Sequence, residues 1–345
     1  MAIKRGVSLY SYQQEEWFGR WTWRDQLREV ALNLDGADGI EIISEATIPQ
    51  YPYPSEAFID EFNTEMARWG LQATTLDAFP DPLQFRRDHV MNDAEMAERL
   101  KIDLRLAKKL GMKNIRVLGN TIDSVKLALP LAEELDITIS QEIHFPSPIQ
   151  RDPNSQRYNK IMDILEYIEK TGTKHYGFQP DFGVFRTAPS DVYLGYYFRM
   201  AGYEEYAEHV KAVMEAFKCM SYEDLVEWAK KTYPKVFNGG WADGELRPAS
   251  AAPEELKLIA PYIYCVHGKF FHMVEMPDRP GEYEDLAVDS EGAIRVLKEI
   301  GYEGYIDSEY EGQRSQQDRG EAYLASEIEE VRRHQKMLKR LIEEA

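Results

Sequence analysis

Short apolar runs alternate along the chain with longer charged segments whose apolar residues recur every three to four positions. The short runs cover 3–12 (IKRGVSLYSY), 39–43 (GIEII), 71–79 (LQATTLDAF), 114–119 (NIRVLG), 137–145 (ITISQEIHF), 176–183 (YGFQPDFG), 262–271 (YIYCVHGKFF) and 304–312 (GYIDSEYEG). Each has the length and the β-branched or aromatic content of a strand. Between them, 94–112 and 158–172 have helical periodicity, and the second sets Ile161, Leu165 and Ile168 on one stripe. Gly111, Gly172 and Gly301 each follow a helical run and precede a strand, where a left-handed helix end is expected. A charged helix over 320–344 is expected to close the chain. Strands alternating with helices imply βαβ units and a parallel sheet. Eight such units predict a (β/α)8 TIM barrel, taken as one domain over 1–345.

Consecutive strands lie roughly 25–40 residues apart, except that 86 residues separate Asp181 from His267. The excess, about 184–250, predicts an aromatic-rich helical insertion between strands six and seven. Such an addition at the catalytic end of a barrel is either a lid, a specificity wall or a subunit contact, or a decorative helical hairpin. No G-x-G-x-x-G or G-x-x-x-x-G-K-[ST] occurs, which counts against an open dinucleotide-binding sheet and a P-loop.

Composition narrows the classes of partner. The 345 residues carry a formal net charge of -19, which disfavours binding to a nucleic-acid backbone or an anionic membrane surface. No apolar run approaches the ~20 residues of a membrane span. The opening MAIKRGVSLYSYQ has no signal-peptide core. Two unrelated cysteines, Cys219 and Cys265, suit a reducing compartment, so the expected location is the cytoplasm.

Chemistry enters at the ends of strands five to eight, where a barrel assembles its active site. Strand five carries Glu142 and His144 at i and i+2, and strand six ends in Asp181. Strand seven carries His267 and Lys269, and strand eight Asp307, Glu309 and Glu311. Alternate residues of a strand share a face. Carboxylates converging there repel one another unless a cation joins them. Glu142, Asp181, His267 and Glu309 are therefore the expected ligands of one divalent metal ion. The oxygen-rich set suits Mn²⁺, Mg²⁺ or Co²⁺, and zinc is compatible. His144 stands beside them either as a general base or as a fifth ligand or hydrogen-bonding wall. Lys269 is either a stabiliser of developing negative charge or an ion-pair partner. Tyr10, Tyr12 and Trp17 cluster where strand one reaches the same rim, with Tyr10 either walling a sugar or flat aromatic ligand or packing in the core, and Trp17 either in that wall or in the following loop. His89, His209 and His334 are expected to be solvated. His175 is expected away from the site, and His272 just behind it.

The Glu142, Asp181, His267, Glu309 set, with V-H-G-K-F around His267, resembles the xylose-isomerase-like superfamily of sugar isomerases, epimerases and related barrels. More narrowly, K-R-G-V-S-L-Y-S-Y-Q, G-I-E-I-I, I-R-V-L, E-I-H and P-D-F-G-V-F resemble the α subunits of bacterial C-glycoside deglycosidases. That resemblance implies a Mn²⁺-type ion, a small β-rich partner subunit, and glycosides already oxidised at C3 as substrates. It implies that the metal chelates the C3 ketone and C2 hydroxyl, that His144 takes the C2 proton, and that β-elimination at C1 expels the aglycone. A sugar isomerase, an epimerase or an inositol-derivative dehydratase would use the same early steps. A related apurinic endonuclease would need a His-rich multi-metal site and a basic surface, which seven histidines and a charge of -19 do not supply. A scaffold subunit would not need four converging ligands.

Overall fold

The computed structural model describes residues 3–83, 88–119, 121–150 and 159–344, apart from the Gln317 side chain. Residue 158 of the expected helix 158–172 lies outside the described residues.

Eight strands form one parallel sheet: β1 Lys4–Ser8, β2 Ala37–Ile43, β3 Gln72–Ala78, β4 Asn114–Val117, β5 Thr138–Ile143, β6 Tyr176–Pro180, β7 Cys265–Phe270 and β8 Tyr305–Tyr310. Their order is β6-β5-β4-β3-β2-β1-β8-β7. The sheet curls until its edges meet at two parallel bridges, Phe178 with Ile263 and Asp181 with His267. The Tyr264 N–H also donates to the Phe178 carbonyl at 3.1 Å. The result is a nearly closed (β/α)8 barrel with helices between the strands.

Local chemistry explains the frame. Helix Asp93–Lys109 opens on a capping box, with Asn92 Oδ1 accepting the Glu95 N–H and Glu95 Oε2 accepting the Asn92 N–H, both at 3.1 Å. Helix Lys160–Thr171 buries Ile161, Ile164, Leu165 and Ile168, the anticipated stripe with one residue more. Gly111, Gly172 and Gly301 take positive φ values of 74°, 70° and 73°. Each therefore ends its helix in the left-handed region that glycine favours. At Gly6, opposite Asp307, any Cβ would collide with the Asp307 carboxylate, so β1 and β8 approach only because that position is glycine.

Several strands are shorter than expected. β1 stops at Ser8, and Leu9–Tyr12 turns into a 3-10 segment followed by helix Gln13–Trp17. β5 ends at Ile143, and β7 begins only at Cys265. Helices Asp191–Met200, Tyr206–Cys219 and Tyr222–Thr232 follow β6 and pack their own apolar cluster around Leu194, Phe198, Val213 and Phe237. A ribbon of Met273–Glu275 against Tyr283–Asp285 was not anticipated. The closing helix spans Glu327–Glu344, after 3-10 turns that occupy much of the stretch before it. Among the described residues, no helix is long and apolar enough to cross a membrane.

His334 corrects one expectation. It is fully buried on the closing helix, its ring stacked on Phe270 with centroids 4.0 Å apart, and Nδ1 lies 2.7 Å from Ser308 Oγ. The charge alternation of that helix conceals a barrel-facing stripe of Val331, His334, Leu338 and Leu341. His209 is likewise half-buried, among Phe198, Tyr203 and Tyr233, rather than solvated.

Candidate metal centre

Glu142 on β5, Asp181 just past β6, His267 on β7 and Glu309 on β8 converge at the carboxyl end of the barrel. One ligand-type atom of each lies within 4.8 Å of the others, and all four side chains are buried. His267 Nδ1 is 3.1 Å from Glu142 Oε1 and 3.1 Å from Glu309 Oε2. Asp181 caps the turn Phe182–Phe185, its Oδ1 accepting the Gly183 N–H at 2.6 Å. That bond turns Oδ2 towards the cluster. Lys269 Nζ lies 3.0 Å from Asp181 Oδ2, 2.9 Å from Glu309 Oε2 and 3.0 Å from Glu311 Oε1.

The electrostatics are those of crowded carboxylates around few cations. Burial would raise the Glu142 carboxyl, but Arg116 and His267 hold it well below the usual range. Glu309 is also held low, against its burial, by His267 and Lys269. Asp181 is pushed up to about 6 by burial, with Lys269 and His144 opposing. Burial favours neutral His267 and Lys269, yet the surrounding carboxylates keep both well above their ordinary values. Glu41, Asp77, Glu142, Asp181, Glu309 and Glu311 thus face two permanent cations, Arg116 and Lys269. A divalent cation relieves that excess, and three carboxylates with one imidazole are a fitting donor set for it.

Two deeper groupings, Glu41 with Asp77 and His267, and Glu41 with Cys265 and Asp307, fit a cation less well. Each of their carboxylates is already engaged, although Asp307 is held through Oδ2 alone. Arg116 binds Asp77 at 2.8 and 2.9 Å, Gln179 donates to Glu41 at 2.7 Å, and Thr74 and Cys265 donate to Asp307 at 2.9 and 3.2 Å.

His144 sits one residue beyond β5 rather than within it, and its side chain is 40% exposed, open to the mouth of the barrel. A carbonyl only accepts, so Nδ1–H donates to the Phe145 oxygen at 2.6 Å. In the neutral ring Nε2 then keeps its lone pair, 3.9 Å from Asp181 Oδ2. Burial and Lys269 lower the His144 pKa, but Asp181, Glu142 and Glu311 carry it above the ordinary value.

Beside the centre lies a cavity of about 1160 Å³, walled by Tyr10, Trp17, Phe18, Phe79 and Leu324, with Arg314 at its edge. Phe79 links the two, because the Arg116 guanidinium lies 4.6 Å over its ring while reaching Glu142. Tyr10 is in the field of Glu311 and Lys269, and burial pushes its hydroxyl up to about 12. Trp17 is exposed along this cavity, but Tyr12 is not a wall residue. Tyr12 is fully buried against Trp21, because the chain turns at Leu9 and points it into the core. His175 pairs with Asp136 away from the centre, and His272 with Asp191 at 2.8 Å.

Sequence reasoning missed Glu41, Asp77, Arg116 and Gln179. Glu41 and Gln179 are fully buried within β2 and β6, as is Asp77 within β3, and Arg116 nearly so within β4. The available signal was a charged or amide residue inside each apolar run, since such groups are costly to bury without partners.

A family model described as xylose isomerase-like TIM barrel matches residues 29–341. The chain is similar to the 3'-dehydrocarminate deglycosidase alpha subunit of a Microbacterium species. The two are 29% identical over 326 residues, which cover 90% of this chain and 89% of that one. It is also similar to the C-glycoside deglycosidase alpha subunit of Microbacterium trichothecenolyticum, at 26% identity over 325 residues, covering 89% and 83%. Among solved structures, a sugar phosphate isomerase/epimerase from Parabacteroides distasonis shares the fold. That comparison gives a TM-score of 0.53 at 14% identity, covering 97% of this chain and 93% of that one.

Proposed function

The chain belongs to the xylose isomerase-like TIM barrel family, and within it we propose that this protein is the α subunit of a C-glycoside deglycosidase, a lyase acting on 3-oxo-C-glycosides. The observation that carries this reading is similarity over about nine-tenths of the chain to two relatives named deglycosidase alpha subunits, one of a 3'-dehydrocarminate deglycosidase and one of a C-glycoside deglycosidase. Their names also imply a partner subunit, which we take to be small and β-rich. We place the enzyme in the cytoplasm, with no nucleic-acid or membrane partner.

Glu142, Asp181, His267 and Glu309 would hold one divalent ion, Mn²⁺ by preference, with Mg²⁺, Co²⁺ or Zn²⁺ compatible. When bound, that ion supplies Lewis-acid polarisation of the substrate's oxygens. The 3-oxo group makes the C2–H acidic, and neutral His144, with its Nδ1–H held on the Phe145 carbonyl, is the base that takes that proton on Nε2. The electron pair left at C2 forms the C1=C2 double bond as the bond from C1 to the aglycone carbon breaks. That carbon leaves with the bonding pair and takes up a proton. Lys269, kept cationic by its three carboxylates, offsets the charge developing on the sugar oxygens. Tyr10 would border the sugar, and the aromatic-walled cavity beyond it suits a flat aglycone.

The test is to load the protein with Mn²⁺ and incubate it with a 3-oxo-C-glucoside, with and without the co-encoded small subunit. Release of free aglycone together with an unsaturated ketosugar is expected. No aglycone in either case, with interconversion of free ketoses, would sink the lyase reading in favour of an isomerase or epimerase.

A further inference from the structure

We propose that Glu41 is a positioning residue that decides which nitrogen of His267 is offered to a metal ion. The inference rests on reading the four-residue cluster as a metal site. Glu41 lies on β2 and His267 on β7, 226 residues apart in the chain, and both side chains are fully enclosed. Glu41 Oε1 and Oε2 lie 2.9 and 3.0 Å from His267 Nε2. Both ring nitrogens face carboxylates, but Glu41 lies outside the four-residue cluster, so when a cation takes the lone pair on the cluster side the remaining proton belongs on Nε2, donated to Glu41. Nδ1 then faces Glu142 Oε1 and Glu309 Oε2, each at 3.1 Å, on the side of the ring where the other acceptors converge.

Glu41 is itself held in place. Gln179 Nε2 donates to its Oε2 at 2.7 Å, and Gln179 Oε1 accepts from Asn114 Nδ2 at 3.1 Å and from Ser140 Oγ at 3.2 Å. These groups are all buried, so no water competes for the bonds. An amide and a hydroxyl of the barrel interior thus orient an amide, which orients a carboxylate, which orients the ring. A neutral imidazole can bind a cation through one nitrogen only if the other keeps its proton. A carboxylate accepting that proton also makes the ligating nitrogen more basic. Without Glu41, the Nε2–H loses the carboxylate that lies within hydrogen-bond distance of it.

Histidine-selective ¹⁵N NMR of the full-length protein loaded with diamagnetic Zn²⁺ tests this directly. In the native protein, His267 should carry a downfield-shifted Nε2–H, with Nδ1 as the ligating nitrogen. Glu41→Ala should lose that signature and weaken Zn²⁺ and Mn²⁺ binding about 10–100-fold. Glu41→Gln keeps an accepting oxygen, and should keep the tautomer while losing less affinity than Glu41→Ala. A proton on Nδ1 of His267 in the Zn²⁺-loaded native protein overturns the proposal. So does a folded Glu41→Ala that binds both metals within about two-fold of native. If Glu41→Ala does not fold, Nε2–H in both the native protein and Glu41→Gln supports the proposal, and Nδ1–H in either overturns it. Absence of metal uptake by the native protein is a separate result, visible before any variant is made. It would remove the metal-site reading and this inference with it.

Discussion

Replacing Glu309 by Gln preserves size while removing one negative oxygen ligand from the cluster, and the consequence is measurable as a lost metal-dependent gain in stability. A ligand present at 100 times its Kd stabilises the folded state by about 2.7 kcal/mol. Unfolding entropy of about 2.1 cal/mol/K per residue, over 345 residues, amounts to roughly 0.7 kcal/mol/K. The native protein should therefore gain about 4 °C in Tm on loading with Mn²⁺ to that level. Loss of an outer partner of a ligand already costs about 10–100-fold in affinity, and loss of a ligand should cost at least the upper figure. At the same metal concentration Glu309→Gln then sits near its own Kd. It keeps only about 0.4 kcal/mol, or roughly 0.6 °C.

The assay is scanning calorimetry of chelator-stripped protein across a Mn²⁺ titration, read as the increment within each variant. The increment is the proper readout because Glu309 also pairs with Lys269 at 2.9 Å and His267 at 3.1 Å. Its replacement should therefore lower the metal-free Tm independently. Equal increments in both proteins would refute Glu309 as a ligand. No increment in the native protein with Mn²⁺, Mg²⁺, Co²⁺ or Zn²⁺ would refute the site.

Other residues give distinct outcomes. His144→Ala should lower turnover about 10²–10⁴-fold while metal affinity stays native, and an active variant would remove His144 as the base. Arg116→Leu strands the fully buried Asp77 and removes a neighbour of Glu142 at 3.4 Å. It should cost about 3–5 kcal/mol in urea unfolding, and a loss under about 1 kcal/mol would contradict the pairing. For His334, burial pushes the folded pKa down to about 3, below the ordinary 6.5. Its contribution to stability is present above pH 6.5 and is lost as pH falls towards 3, by up to about 1.4 kcal/mol per pH unit. Tm measured from pH 7 to 4.5 should fall less steeply in His334→Gln than in the native protein, and parallel curves would refute the assignment.

The repeating strand and helix segments were legible because hydrophobic periodicity is local: Ile161, Leu165 and Ile168 mark one face without reference to anything distant. Glu142, Asp181, His267 and Glu309 were legible as a group because polar residues ending consecutive barrel strands must meet at one rim. Boundaries were less so. The expected strand 137–145 overran Ile143, and His144 owes its exposed position to the chain leaving the sheet there. Lys269 was an ambiguous cation in the sequence; only the fold surrounds it with Asp181, Glu309 and Glu311.

Taken alone, then, the sequence determined the eight strand–helix units, the rim at which chemistry collects and the types of side chain gathered there. The tertiary structure alone decided how each group is held. Glu41 meets His267 across 226 residues, Arg116 joins Asp77 to Glu142, and His334 turns inward to stack on Phe270. Periodicity along one segment fixes which face is buried. Which carboxylate a ring nitrogen meets depends on closing the barrel, and that brings together strands whose local patterns carry no information about one another.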